Sequence, residues 1–190
     1  MTKGTAKGVA PGCEDCYGRG WSVRSGAASS EAVLCDCVGR CPVCGGGGFE
    51  RFSAEGGYSY VRPCSACGTV RRNVRLYNLS GIPPRYHNVL QVDTFAHKGR
   101  KYNKRALSYV KQFVKEYPNR RGFLLMGGPG LGKTHLAVGA VAELTLQRGV
   151  ICLFKDFFYL LGELKDAYTE GRGEGEVIEP LIEAEVLVID

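Results

Sequence analysis

A chain of 190 residues, 44% hydrophobic and with a formal charge of +6, has room for one ordinary domain or two small ones and is too apolar to be disordered throughout. Its apolar runs fall far short of the roughly eighteen residues of a membrane span, so no spanning helix and no membrane partner are expected. The opening MTKGTAKGVAPG is basic but leads into no apolar run, so it does not read as a signal peptide and a cytoplasmic location is expected.

The positive charge is concentrated. Residues 1–70 carry seven Lys/Arg and six Asp/Glu, residues 71–121 thirteen against two, and residues 122–190 five against eleven. A basic block of that density between two other segments attracts phosphate or an acidic protein surface.

Residues 1–12 read as a disordered tail. Residues 13–70 hold eight of the nine cysteines, and in a reducing cytosol clustered thiols are more often metal ligands than disulfides. A secreted disulfide framework is the competing reading, and the character of the second half of the chain argues against it. The pairs are Cys13/Cys16, Cys35/Cys37, Cys41/Cys44 and Cys64/Cys67. Eight thiolates suit two tetrahedral Zn²⁺ ions, and a two-residue spacer lets a knuckle aim both sulfurs at one ion. Eighteen residues separate Cys16 from Cys35 and nineteen separate Cys44 from Cys64, a near-repeat that favours pairing in chain order. A nested arrangement, Cys13/Cys16 with Cys64/Cys67, stays open. Ala32-Val33-Leu34 and Tyr58-Ser59-Tyr60-Val61 read as hairpin strands between the pairs. With no useful apolar core in this segment, metal is expected to organise it.

Residues 71–121 form a basic connector. Gly81-Ile82-Pro83-Pro84-Arg85 must be non-helical, because each proline bars helix for the residue before it. A helix is expected over 103–117, with Ala106, Leu107, Val110, Phe113 and Val114 at helical spacing and Pro118 as its stop. Phe95, Tyr102, Tyr109 and Phe113 interleave with Lys98, Arg100, Lys101, Lys104, Arg105 and Lys111, a mixture that suits single-stranded DNA or a protein partner. Equally, the aromatics can be core and the cations a solvated face.

From residue 122 the pattern is α/β. Gly122–Met126 reads as a buried parallel strand, 133–147 as a helix stopped by Gly149, Val150–Phe154 as a second strand, 156–168 as a helix and 170–175 as a polar loop. A short helix then leads to Val186–Asp190, a third strand, and the alternation argues for a parallel sheet. Cys152, on the second strand, reads as a small core residue.

Between the first strand and its helix, Gly127-Gly128-Pro129-Gly130-Leu131-Gly132-Lys133-Thr134 satisfies the phosphate-loop pattern G-x-x-x-x-G-K-[ST] at every fixed position. Such a loop points backbone N–H groups at phosphates, while the helix behind it adds its positive end. Lys133 is expected on the β- and γ-phosphates of a nucleoside triphosphate and the Thr134 hydroxyl on Mg²⁺. His135 reads as a helix-start residue beside the site and is counted with Gly127–Thr134 among the candidate nucleotide-binding residues. Asp190, at the end of an apolar strand fifty-six residues after Thr134, is the expected second Mg²⁺-associated group. Lys133 and Asp190 are thus the candidate catalytic pair.

CEDCYGRG at 13–20 and CPVCGGGG at 41–48 resemble the knuckles of the DnaJ-type cysteine-rich zinc module, although Cys35-x-Cys37 is one residue short and CSACGTVR at 64–71 lacks the later glycine. The likeness is one of knuckle geometry and implies no chaperone activity. SGIPPRYHNVLQVDTF at 80–95, GFLLMGGPGLGKTHLAVGAVAEL at 122–144 and EVLVID at 185–190 together resemble the DnaC-type helicase loaders and IstB-type transposition helpers, both AAA+ ATPases. Leu131 stands where threonine is usual in that family. The resemblance implies ATP-controlled loading of a replicative helicase, or recruitment of a transposase, with homo-oligomers possible at full length. It also implies a second Walker B acid, sensors, an arginine finger, and a strand between the P-loop strand and the Walker B strand, all beyond Asp190. The chain is therefore expected to be an N-terminal part of the ATPase, incomplete at its C-terminus and a poor hydrolase alone. A reading of another class is a non-hydrolysing, zinc-dependent module binding nucleic acid or protein.

Overall fold

Two antiparallel hairpins form where the cysteine pairs leave short β-prone runs. In the computed structural model, which describes residues 9, 12–54, 56–95, 101–118 and 121–190 (the side chains of residues 101 and 102 excepted), β1 (Trp21–Ser25) pairs with β2 (Ser30–Leu34) and β3 (Phe49–Ser53) with β4 (Ser59–Pro63). The registers run from Trp21↔Leu34 to Ser25↔Ser30 and from Phe49↔Pro63 to Ser53↔Ser59. A single helical turn, α1 (Asp36–Gly39), joins the two. Of the expected tail, residues 1–8, 10 and 11 lie outside the described residues, and Val9 is buried.

The next element was not anticipated. Helix α2 (Gly68–Leu79) occupies the start of the expected connector, with Val70, Val74 and Tyr77 buried on one face. That face packs between β2 and the segment 144–148. Asn78 closes one joint, its Nδ2 donating to Ala32 O (3.0 Å) and its Oδ1 accepting from Ala32 N (2.6 Å). Asn73 closes the other, its Nδ2 donating to Leu146 O at 3.0 Å. The expectation that the cysteine segment has no apolar core is thereby corrected. Trp21, Ala32 and Val38 join Val70, Val74 and Tyr77 in one cluster that continues to Val141 and Phe154, because α2 supplies the apolar partner that the hairpins lack.

Residues 80–83 act as a second seam. Ile82 O accepts from Ser30 N (2.7 Å) on β2, and Ser80 O accepts from Phe154 N (2.7 Å) on β5, the strand Cys152–Lys155. Gly81 has φ +73°, and a Cβ there would stand 2.9 Å from Phe154 O, so both its conformation and the close approach require glycine. Pro83 is extended (ψ 145°) ahead of Pro84, which opens a 3₁₀ turn over Pro84–Tyr86. A second such turn covers Val92–Thr94.

Helix α3 (Lys101–Glu116) buries Val110 and Val114. Helix α4 (Lys133–Glu143) continues as one π turn, Leu144–Arg148, and Gly149 ends it in the left-handed region (φ 68°). After β5 come α5 (Phe157–Thr169), α6 (Gly175–Glu183) and β6 (Val186–Ile189), with β5 and β6 parallel from Cys152↔Val186 to Lys155↔Ile189. No described helix is long and apolar enough to cross a membrane.

One expected strand is missing from the ladders. Gly122–Met126 pairs with no other strand and is not buried on both faces. Phe123 and Leu125 turn inward, while Leu124 and Met126 are 79% and 83% exposed. Between this segment and β6, under α4, lies an open slot of about 430 Å³ lined by Phe123, Leu125, Ala137, Val141, Val186 and Val188. The slot separates the segment from β6, so it has no backbone ladder to join on that side.

Candidate phosphate loop and cysteine clusters

The Gly-rich loop is shaped by what packs beneath it. Gly132, at the N-terminus of α4, has φ 88°, and a Cβ there would collide with the Phe95 ring. Glycine is therefore needed both for the left-handed turn and for the close approach. Phe95 is the buried end of the 92–95 turn, so the SGIPPRYHNVLQVDTF segment supports the loop from below.

Lys133 Nζ donates to Gly127 O and Gly128 O, 3.0 Å each, which folds the lysine over the loop. Thr134 Oγ1 donates to Asp190 Oδ2 and Oδ1, at 2.8 and 3.0 Å. Asp190 is held from behind: its N–H donates to Lys155 O (3.0 Å) and its carbonyl accepts from Phe157 N (3.0 Å). The parallel register of β5 and β6 thus delivers the carboxylate to the first turn of α4. An ammonium, a hydroxyl and a carboxylate at a helix N-terminus are the groups that phosphate and a divalent cation require.

His135 packs on the turn beneath the loop. Its ring lies 5.5 Å from that of Phe95, and its Nε2 is 3.4 Å from Thr94 Oγ1. Desolvation there lowers its pKa below the ordinary 6.5.

The eight thiols gather in chain order, Cys13/Cys16 with Cys35/Cys37 and Cys41/Cys44 with Cys64/Cys67, and not in the nested arrangement. The Sγ atoms lie 3.7 Å apart in Cys13···Cys35 and Cys16···Cys37, 3.9 Å in Cys41···Cys64 and 3.6 Å in Cys44···Cys67. A tetrahedron with Zn–S bonds of about 2.3 Å has S···S edges of about 3.8 Å, so both donor sets fit Zn²⁺. Against desolvation, the Gly48 N–H on Cys44 Sγ (3.2 Å) helps pull that thiol down to about 6, whereas desolvation pushes Cys67 up to about 12. Four thiolates this close ionise together only around a cation. Arg71 supplies further positive charge to the second cluster, its Nε donating to Cys67 Sγ at 3.3 Å and its Nη2 to Gly46 O at 2.6 Å. Arg71 and Gly48 escaped the sequence argument, although Arg71 stands one helical turn after Cys67. Cys152 belongs to neither cluster and is a buried thiol, pushed up to about 12 chiefly by desolvation.

The connector's mixture of cations and aromatics comes apart. Phe95 is buried, and Phe113 and Tyr109 meet the Phe123 ring edge-on at 4.9 and 6.2 Å. Lys111 pairs with Asp93, whereas Lys104 and Arg105 are exposed. Lys98, Arg100 and the side chains of Lys101 and Tyr102 lie outside the described residues. The described aromatics of this segment thus serve largely as packing, with Tyr109 still half exposed.

Comparison with known proteins agrees with this geometry. Residues 66–190 match the family model described as IstB-like ATP binding protein. The chain is 33% identical over 118 residues to the replicative helicase loader DnaC of Escherichia coli K12, covering 61% of this chain and 47% of that protein, and equally to DnaC of Shigella flexneri. It is 29% identical over 138 residues to the uncharacterized protein YqaM of Bacillus subtilis 168, covering 70% of this chain and 42% of that one. The chain thus spans about half the length of the curated relatives it matches. No solved structure matches it. With the family match covering the phosphate loop, its supporting turn and Asp190, the chain belongs to the IstB-like ATP-binding proteins, within the DnaC/IstB-type AAA+ family.

Proposed function

We propose that this chain is an ATP-binding, helicase-loader-like protein of DNA replication, in which nucleotide state sets the affinity for a replicative helicase or for single-stranded DNA. The observation that carries the proposal is the joint between Thr134 and Asp190, closed at 2.8 Å beside Lys133 on the first turn of α4. In this reading Gly127–Thr134 cradle the triphosphate, Lys133 contacts its β- and γ-phosphates, and Thr134 and Asp190 hold Mg²⁺. Two Zn²⁺ ions would occupy the cysteine clusters, where they supply structure and not chemistry. The zinc-bearing segment, together with the cations of α3, would then be the docking part of the molecule.

Because Asp190 is pinned between the ends of β5 and α5, its exchange of Thr134 for Mg²⁺ would be felt at the start of α5. Isothermal titration of Mg·ATP tests the site: Lys133→Ala should weaken binding about ten- to hundredfold, the worth of lost charge-assisted hydrogen bonds. Unchanged affinity would remove the phosphate cradle from this loop.

The family match itself supports a second reading, a transposition helper that recruits a transposase. ATP-dependent capture of a purified replicative helicase, with none of a purified transposase, decides for the first. The converse result decides for the second.

A further inference from the structure

The aromatics that the connector withholds are offered elsewhere. The ribbon β3–β4 lies outside the residues matched by the family and carries Phe49, Phe52, Tyr58 and Tyr60 within fifteen residues. Every residue of β4 is exposed. Phe49, Tyr58, Tyr60 and Val61 are 61%, 78%, 53% and 62% exposed. Apolar area of this kind, left in water on a two-stranded ribbon, marks a binding surface more than a fold requirement.

The arrangement on one face is specific. Phe52 and Tyr60, directly opposite in the register, are stacked with ring centroids 5.5 Å apart and planes 21° from parallel. The Arg62 guanidinium covers the Phe52 ring at 3.8 Å. Arg62, Phe52 and Tyr60 therefore form a column of planar groups, with the half-exposed Tyr60 at its end and Tyr58 two residues beyond, at the turn. The ligand that continues such a column is another planar π-system, and a guanidinium beside it suits a phosphate.

Charge separates the candidate ligands. Residues 49–80 contain five arginines (Arg51, Arg62, Arg71, Arg72 and Arg75) against Glu50 and Glu55. Glu50 is already engaged, accepting from Ser65 N at 2.5 Å and lying 3.9 Å from Arg62. Arg72 and Arg75 are exposed on α2, which begins where the ribbon ends, with Pro63 against Gly68. An arginine-rich, aromatic surface with its one described acid tied down fits a polyanion that presents flat faces. We infer that the β3–β4 ribbon is a stacking site for single-stranded nucleic acid, with bases on Tyr60 and Tyr58 and phosphate on the Arg62 guanidinium of the same face. The inference specifies the single-stranded-DNA side of the function proposed above, and its test uses no nucleotide cofactor, so failure of the ATP site would leave it standing.

The experiment is fluorescence anisotropy of a labelled oligothymidylate titrated with the full zinc-loaded chain at low salt. Tyr58→Leu/Tyr60→Leu keeps apolar bulk but removes the aromatic faces. It should weaken binding about tenfold or more, and Tyr60→Trp should retain wild-type affinity. Zinc content and unfolding midpoint are measured on each variant. If the leucine pair loses zinc, Tyr58→Leu alone, at the turn and outside the strands, must still weaken binding severalfold. Unchanged affinity in the leucine variants overturns the inference and leaves the ribbon to a protein partner. Loss of binding only in Lys104→Ala/Arg105→Ala overturns it in favour of α3. Failure of the wild-type chain to bind at low salt overturns it outright.

Discussion

At Thr134 and Asp190, residues fifty-six positions apart share a hydrogen bond of 2.8 Å, and neither means much without the other. An apolar run ending in aspartate is common in α/β proteins. It acquires a role when the strand register places its carboxylate against the first turn of the loop's helix. His135 illustrates the opposite case, a residue inside the loop's sequence neighbourhood whose ring is turned to Phe95 and Thr94. Desolvation lowers its pKa from 6.5, so the unfolded chain takes up the proton first as pH falls. Stability should accordingly decline as pH drops from 6.5 towards the lowered value, with no contribution from this group above 6.5. Urea midpoints measured across that range should show a slope that His135→Gln reduces. An identical slope in the variant would mean that His135 is solvated in the folded chain.

Among the elements, α5 and α2 are organised by polar side chains at their ends and flanks. Asp156 caps α5, accepting from Phe158 N at 2.9 Å and Tyr159 N at 3.2 Å. Asp156→Ala should cost about 1 kcal/mol in a denaturant titration. It should also loosen Asp190, whose carbonyl is held by Phe157 N. Helix α2 escaped the sequence argument because its apolar positions, Val70, Val74 and Tyr77, lie among arginines in a segment dominated by charge. Their i, i+4, i+7 spacing was nonetheless present as a signal. The strand expected at Gly122–Met126 failed for the converse reason. Five residues with an apolar pattern make a strand only when a neighbour offers a ladder, and here a slot lies between this segment and β6.

For the molecule as a whole, the joints through α2 and residues 80–83 make the cysteine segment and the phosphate-loop segment share one core. Zinc should therefore be felt beyond its own ligands. Metal analysis should find two Zn²⁺ per chain, and a strong chelator should lower the unfolding midpoint and weaken ATP binding together. An unchanged ATP affinity in the zinc-free chain would show that the two segments are energetically independent. The sequence by itself determined the phosphate loop, the four cysteine pairs, the hairpins and most helix positions, because these rest on local chemistry: backbone freedom at glycine, ligand spacing and short-range periodicity. Only the tertiary structure decided which thiols share a cluster, that Asp190 meets Thr134, that Phe95 supports Gly132, and that the connector's described aromatics are largely occupied while Phe49, Tyr58 and Tyr60 of the β3–β4 ribbon are exposed. Each of those depends on distances between residues far apart in the chain, which burial and strand register set and local sequence does not encode.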